Sequence, residues 1–185
     1  MPAFTIRELA RADRRAVAFT FGRLSQQSRY QRYFHAKPEL APRELSGLLD
    51  VDHWHHEALI AFSPPPRAPI GIARYVRLDE FDMAEVAIEV VDGWQRQGVG
   101  TALMVALTER ARAAGIRHFH MSMLRDNAGA RALASHLGPA TLLAAAGNVV
   151  ELSYSVSAGS SVPAGSSGAG SSSPSPPSPA PTATG

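Results

Sequence analysis

A glycine-containing junction between a predicted strand and a predicted helix constrains the fold of this chain more than any other feature. Residues 84–91 alternate in polarity and are rich in Val and Ile, which is typical of a strand. From Val99 onward, apolar residues recur at helical spacing until Gly115. The segment between these two patterns contains Gln-Arg-Gln-Gly-Val-Gly. The sequence therefore predicts a strand that continues through a short loop into a long helix.

The first turn of this helix is a candidate site for a diphosphate. The first four N–H groups of a helix have no partner inside it and lie at the positive end of its dipole, where phosphate oxygens bind. Gly98 and Gly100 permit a positive φ and a close approach of the main chain to a ligand. Arg96 adds a positive charge, and Thr101 adds a hydroxyl group. The alternative, a tight turn that serves only helix packing, stays open on this motif alone.

The spacing of the motif excludes two familiar phosphate-binding loops and resembles a third. No Gly-Lys-Ser/Thr ends the segment, as a P-loop requires, and the third glycine of a dinucleotide-binding motif is absent. The residues resemble the Gln/Arg-x-x-Gly-x-Gly/Ala signature of the GNAT acyltransferases, which implies that the pyrophosphate of acetyl-CoA binds here. The cofactor-binding residues implied by the resemblance are Val90, Val91, Gln95, Arg96, Gln97, Gly98, Val99, Gly100, Thr101 and Asn127.

Composition divides the 185 residues into one domain and a tail. From Ser157 to Gly185 every residue except Val162 is Ser, Pro, Gly, Ala or Thr. Such a segment cannot bury enough apolar surface to offset its ordering entropy, so residues 157–185 are predicted to be disordered. Residues 1–156 are enough for one domain with a sizeable core. The chain has no cysteine, which excludes disulfides, thiolate metal sites and a cysteine nucleophile.

The charge pattern favours neither a nucleic-acid partner nor a membrane partner. The formal net charge is only +2. Arginines cluster within residues 7–32, but such a cluster is more often a solvated helix face than a nucleic-acid site. No apolar stretch is long enough to span a bilayer and no signal peptide opens the chain, so a cytoplasmic location is expected. The sequence leaves the oligomeric state open, and a homodimer is compatible with it.

The order of the remaining elements predicts an α/β (α+β) fold. Strands are predicted over 4–9, 54–62, 70–78, 84–91, 118–124, 140–145 and 149–156, and helices over 13–24, 25–34, 43–50, 99–114 and 127–137. The fourth strand, its helix and the fifth strand form a crossover flanked by antiparallel hairpins, so a mixed sheet with helices on both faces is expected. This order is similar to the GNAT fold, which implies six or seven strands.

Histidines before the second strand raise the alternative of a metal site. On a strand, His53 and His55 would share one face with Glu57, while His56 would point away. A strand end crowded with polar residues is commoner than a zinc site. We therefore expect no bound metal.

Two carboxylates of the fourth strand are the candidate catalytic residues. Glu85 and Glu89 would share one strand face, about 13 Å apart. A base is needed because a lysine ammonium, with a pKa near 10.4, leaves only about one molecule in 10³ neutral at pH 7. The GNAT resemblance places Glu85 where the family has its general base. Glu89 is the alternative base or a site for a cationic acceptor, and Glu85 is otherwise a surface carboxylate.

The resemblance implies an N-acetyltransferase that transfers the acetyl group directly from acetyl-CoA to an amine. Residues 24–34 and 42–45 are similar to the acceptor region of bacterial GNAT protein lysine acetyltransferases, which implies a protein lysine as acceptor. A small amine or an N-terminal amine is the alternative acceptor, and a non-catalytic CoA-binding sensor is the alternative class. Many GNAT enzymes place a Tyr general acid in the helix after the fifth strand. Residues 128–137 contain no Tyr, so the general acid stays unassigned among His120, Ser122, His136 and solvent.

Overall fold

The computed structural model of the protein describes residues 4–78 and 82–156. The tail predicted over residues 157–185 lies outside the described residues. The helices and strands within them, in chain order, are β1 (Thr5–Glu8), α1 (Arg14–Gly22), α2 (Gln26–Tyr33), α3 (Pro42–Leu48), β2 (His56–Phe62), β3 (Pro69–Arg77), β4 (Met83–Val90), α4 (Val99–Ala113), β5 (His118–Leu124), α5 (Ala128–Ala134), β6 (Ala140–Ala146) and β7 (Val149–Ser155).

One sheet contains all seven of these strands, in the order β1-β2-β3-β4-β5-β7-β6. Strands β1, β2, β3 and β4 form successive antiparallel pairs, and β4 and β5 are parallel. Strand β7 lies between β5 and β6 and is antiparallel to both. A parallel pair needs a crossover connection, and α4 provides it between β4 and β5. The predicted mixed sheet is thus confirmed.

Helices cover both faces of the sheet, as predicted. Successive strand residues point to opposite faces, so neighbouring residues of β3 enter different apolar cores. Ala73 packs in the larger core with Leu103 of α4. Ile72 packs in the smaller core with Val17 of α1 and Leu45 of α3. The sheet therefore separates α4 from α1 and α3.

Strands β4 and β5 separate after a short ladder. Their pairing is limited to Met83–Glu85 with residues 118–120. Strand β4 continues along β3 as far as Val90 without a register shift, while β5 continues along β7 to Leu124. Beyond Glu85, the edge of β4 that faces β5 therefore has no strand partner. A ligand with amide groups can pair with such an edge.

Strand β2 begins at His56, two residues later than predicted. The Asp52 carboxylate accepts hydrogen bonds from the main-chain amides of residues 54–56 at 2.8–2.9 Å. These bonds form a local turn that competes with the strand ladder. His53 and His55 consequently do not lie on the strand face predicted for them, and that prediction was wrong.

The histidine rings of this turn contact separate partners. His53 Nδ1 lies 2.8 Å from Glu57, and His55 Nδ1 lies 3.0 Å from Asp52. Among residues 4–78 and 82–156, no three His, Cys, Asp or Glu side chains are grouped so that they could hold a metal ion. In the same ranges, no helix is both long enough and apolar enough to cross a bilayer.

Candidate functional site

A cavity of about 300 Å³ lies where β4 leads into α4. Residues of α2 and α5 complete its wall. The volume is at the lower end of the range for small-molecule sites, which begins at about 300 Å³. The predicted site residues that line it are Glu89, Val90, Gln95, Arg96, Gly98, Gly100, Thr101 and Asn127. The structure therefore brings most of the residues chosen from the sequence to one place.

The loop before α4 has an unusual backbone conformation. Gly98 caps the helix with φ at 83°, in the left-handed region that favours glycine. Its lack of a side chain leaves the first turn of α4 without a side-chain cap. The amides of that turn therefore have no partner inside the helix. Arg96 is also left-handed, with φ at 58°, and such loops form anion-binding concavities from main-chain amides.

Asp92 joins this loop to the start of α2. Its carboxylate accepts hydrogen bonds from the amide and hydroxyl of Ser25, at 2.8 and 2.7 Å, and from the hydroxyl of Ser28, at 2.8 Å. Gln95 Nε2 donates to Ser28 Oγ and to the carbonyl oxygen of Val90. Burial alone would raise the pKa of Asp92, but these hydrogen bonds outweigh it and lower the pKa. The loop and α2 are thus held together.

Asp92→Asn is expected to lower the free energy of unfolding by about 1 kcal/mol at pH 7, because an amide cannot accept all three hydrogen bonds. The folded-state pKa of Asp92 is depressed, so its contribution is present above the unfolded pKa and is lost as the pH falls through the folded pKa. Urea unfolding at pH 7 and in acid should therefore show a difference that shrinks on acidification. Glu39→Gln, at an exposed position, is the matched control. Equal unfolding curves for Asp92→Asn and the unmodified protein would contradict this role.

Three of the predicted cofactor-binding residues do not line the cavity. Val91 and Val99 are core residues. The Val91 N–H donates to the Ile70 carbonyl, and the Val91 carbonyl accepts from the Trp94 N–H. The Gln97 side chain donates to a main-chain carbonyl of its own loop at 2.7 Å. The placement of these side chains thus gives no support to a contact with a ligand.

Asn127 has two roles in the geometry. Its Oδ1 accepts a hydrogen bond from the Ala130 amide at 3.0 Å, which caps α5. The same residue lines the cavity. His136, one of the candidate general acids, also lines it. The sequence is compatible with both interpretations of Asn127, and the structure accommodates both.

The two candidate catalytic carboxylates line two different cavities. Glu89 is 8% exposed and lines the cavity at α4. Glu85 is exposed, lies opposite His120 at the last paired position of β4 and β5, and lines a second cavity of about 420 Å³. Arg32 of α2 lines both cavities, so they adjoin at this side chain.

The surroundings of Glu89 include two residues that no sequence motif indicates. Burial lowers the pKa of the Arg74 guanidinium, and the negative charge of Glu89 acts in the opposite direction. Burial, together with the charge of Glu89, raises the pKa of Tyr33 to about 12. Tyr33 therefore stays neutral beside this carboxylate at physiological pH. A charged residue in the middle of the apolar pattern of β3 was the available signal for Arg74.

Comparison with known proteins decides the family. Residues 25–138 match the model of the Acetyltransferase (GNAT) family. The chain belongs to the GNAT acetyltransferase family. An acetyltransferase of Pseudomonas aeruginosa is 30% identical over 135 residues, which cover 72% of this chain and 73% of that protein. Acetyltransferase Pat of Mycolicibacterium smegmatis is 34% identical over 116 residues, which cover 62% of this chain but only 34% of that protein.

Solved structures agree with the GNAT assignment. The GNAT domain of S. lividans PAT superimposes with a TM-score of 0.74 at 26% identity, covering 81% of this chain and 89% of that one. The GNAT fold and an acyltransferase that uses acetyl-CoA, both expected from the sequence, are thereby confirmed. The residues at the cavity suit this co-substrate, because the unpaired main-chain amides and the positive charge of Arg96 can bind the oxygens of a pyrophosphate.

Proposed function

We propose that this GNAT enzyme transfers the acetyl group of acetyl-CoA directly to an amine, and that the amine is a protein lysine. The observation that carries the proposal is the continuity of the site along β4. The amides at the head of α4 lie at one end, and the edge of β4 without a strand partner runs from there to Glu85. This geometry suits a long co-substrate bound by phosphate at one end and reacting at the other.

Binding of acetyl-CoA follows from groups that the protein leaves free. The amides of the first turn of α4 and the side chains of Arg96 and Thr101 would hold the pyrophosphate. The free edge of β4 would pair with the amides of the pantetheine arm, as an added strand does. Both interactions use main-chain groups and therefore fix the co-substrate along one direction.

Glu85 is our choice for the base. The amine nitrogen attacks the thioester carbonyl carbon, its proton passes to the carboxylate directly or through water, and the C–S bond breaks. Glu85 lies where the splay of β4 and β5 begins, and its carboxylate makes no hydrogen bond or ion pair with any described residue. Its carboxylate is thus available to accept a proton. Glu89 is the second choice, because it lies in the cavity of the co-substrate.

The departing thiolate needs a proton, and Tyr is absent from α5. The Tyr-free helix is the feature that favours the non-catalytic alternative, a CoA-binding sensor. A CoA thiolate is a fair leaving group, so solvent can supply the proton. The exposed Glu85 beside a site that suits acetyl-CoA supports an active enzyme over a sensor.

Support for a protein lysine comes from residues 24–34 and 42–45 and from the likeness to the Pat proteins of M. smegmatis and S. lividans. The test uses the full chain with acetyl-CoA and three acceptors: a lysine peptide blocked at its N-terminus, the same peptide with a free N-terminus and acetylated lysine, and spermidine. Thiol release gives the rate, and mass spectrometry locates the acetyl group. We expect acetylation of the lysine side chain. Acetylation of spermidine without either peptide would contradict a protein acceptor, and no turnover with any acceptor would favour the sensor.

A further inference from the structure

The second cavity, beside Glu85, contains two buried polar atoms without partners. Helices α2 and α3 form its walls, and strands β2, β3 and β4 form its floor. The two atoms are Arg74 Nη1 and His56 Nε2, and neither makes a hydrogen bond to any described residue. Buried polar groups are nearly always paired, so each such atom indicates a missing partner. One of these atoms donates hydrogen bonds, and the other belongs to a titratable ring.

Arg74 is a buried cation that forms no ion pair with any residue in the described ranges. It is 5% exposed and stands in the middle of β3. Its neighbours across the ladders are Ala58 of β2 and Ala87 of β4, two small apolar residues. Glu85 and Glu89 lie two positions to either side of Ala87 and form no salt bridge with the guanidinium. A buried charge is costly unless it is paired and hydrogen-bonded.

The charges around Arg74 leave its guanidinium without full compensation. Burial lowers the pKa of Arg74, the charge of Glu89 opposes this, and the charge of Arg32, which lines the same cavity, lowers the pKa further. Asp50 also lines the cavity, but its carboxylate forms a salt bridge with Arg11. The free carboxylate of the cavity is therefore Glu85, the proposed base. An anion from outside would have two arginines as partners.

His56 offers a hydrogen-bond acceptor in the same cavity. Its Nδ1 lies 2.9 Å from the Asp50 carbonyl oxygen, which can only accept, so Nδ1 carries the proton. Burial lowers the pKa of His56, and the charge of Arg74 lowers it further. The ring is therefore neutral at pH 7, and Nε2 has a free lone pair. The cavity thus combines a buried cation with a neutral acceptor.

We propose that this cavity binds a carboxylate carried by the amine acceptor, with Arg74 and Arg32 as the partners of that carboxylate. The neutral His56 would accept a hydrogen bond from an N–H group of the same molecule, and the amine would lie beside Glu85. This inference rests on the proposed acetyl transfer and adds the second functional group of the acceptor. This carboxylate can come from either of two sources. It belongs to an acidic residue next to a target lysine, or to a small amine that itself carries a carboxylate.

The test compares acceptors that differ only in one carboxylate. The first pair is a lysine peptide with Glu beside the lysine and its Gln analogue; the second pair is 4-aminobutyrate and butylamine. We expect kcat/KM for the carboxylate-bearing member of at least one pair to exceed that of its neutral partner at least tenfold. A preference in the peptide pair identifies an acidic neighbour of a protein lysine, and one in the second pair identifies a small amino acid. Equal values within both pairs would overturn the proposal, and a buried water would then be the partner of Arg74.

Arg74→Met provides the matched variant. Replacing a buried charge by an apolar side chain of similar length is often neutral for stability, so a folded protein is expected and thermal melting verifies it. The ratio of kcat/KM between the carboxylate-bearing acceptor and its neutral partner should fall from tenfold to about one in Arg74→Met. Arg15→Met, at an exposed position of α1 outside both cavities, should keep the ratio of the unmodified protein. A ratio that survives in Arg74→Met would overturn the assignment.

Binding measurements separate this proposal from the proposed reaction. Calorimetry of the same acceptors with CoA present needs no turnover, so it tests the cavity even in a protein that transfers nothing. Tighter binding of the carboxylate-bearing acceptor, by at least tenfold, would support the cavity in the absence of transfer. Transfer to amines without any preference for a carboxylate would support the proposed acetyl transfer and would overturn the proposed carboxylate site in the second cavity.

Discussion

Glu85→Gln is expected to lower kcat for acetyl transfer at least about 10²-fold, the lower end of what a general base contributes. Glutamine has nearly the same shape but cannot accept the proton of the amine. Because Glu85 lies outside the cavity at α4, the affinity for acetyl-CoA should stay unchanged. Initial rates of thiol release give kcat, and calorimetry gives the affinity.

Glu89→Gln is the comparison that assigns the base. Glu89 lies on β4 four residues further along and lines the cavity of the co-substrate. We expect this variant to retain more turnover than Glu85→Gln and to change the KM for acetyl-CoA. Unchanged turnover in Glu85→Gln, together with a large loss in Glu89→Gln, would transfer the role of the base to Glu89.

Gly98→Val is expected to weaken acetyl-CoA binding at least about tenfold and to leave most of the fold intact. A non-glycine residue in the left-handed region costs about 1–2 kcal/mol, and a branched side chain costs more. Since Gly98 has φ at 83°, the loop must change shape and its amides must move. Titration calorimetry measures the affinity, and circular dichroism checks the fold.

Comparing Gly98→Asn with Gly98→Val separates the effect of backbone conformation from that of steric blocking. Gly98→Asn keeps a residue that tolerates the left-handed region but adds a side chain. Strong binding by Gly98→Asn would show that conformation is decisive, and weak binding would show that the side chain occupies the phosphate path. Gly93→Ala is the control, because its added Cβ meets no atom within 4 Å and its φ is not left-handed. Equal affinity in Gly98→Val and the unmodified protein would contradict the phosphate site.

Local sequence patterns predicted the fold because the elements of this chain are periodic. The β4–α4 junction, the crossover and the final hairpin all follow from apolar spacing and from glycines at the turns. The start of β2 was missed because one side chain, Asp52, organises a turn through three amides. Asp52 lies just before those residues in sequence, but its competition with the strand ladder cannot be read from polarity alternation.

The candidate site was predictable only where its residues are contiguous in sequence. The loop from Gln95 to Thr101 came from one motif, and the structure places most of that motif in one cavity. The contacts of Asp92 with Ser25 span 67 residues, so no local pattern indicates them. Arg74 and His56 meet in a cavity through the register of neighbouring strands, which the sequence does not specify.

Titration calorimetry with acetyl-CoA tests the central claim most directly, namely that the free amides at the head of α4 bind the pyrophosphate of this co-substrate. We predict saturable binding by the unmodified protein and a loss of at least about tenfold in affinity in Gly98→Val. Absence of heat at millimolar acetyl-CoA, or equal affinity in the two proteins, would contradict the claim.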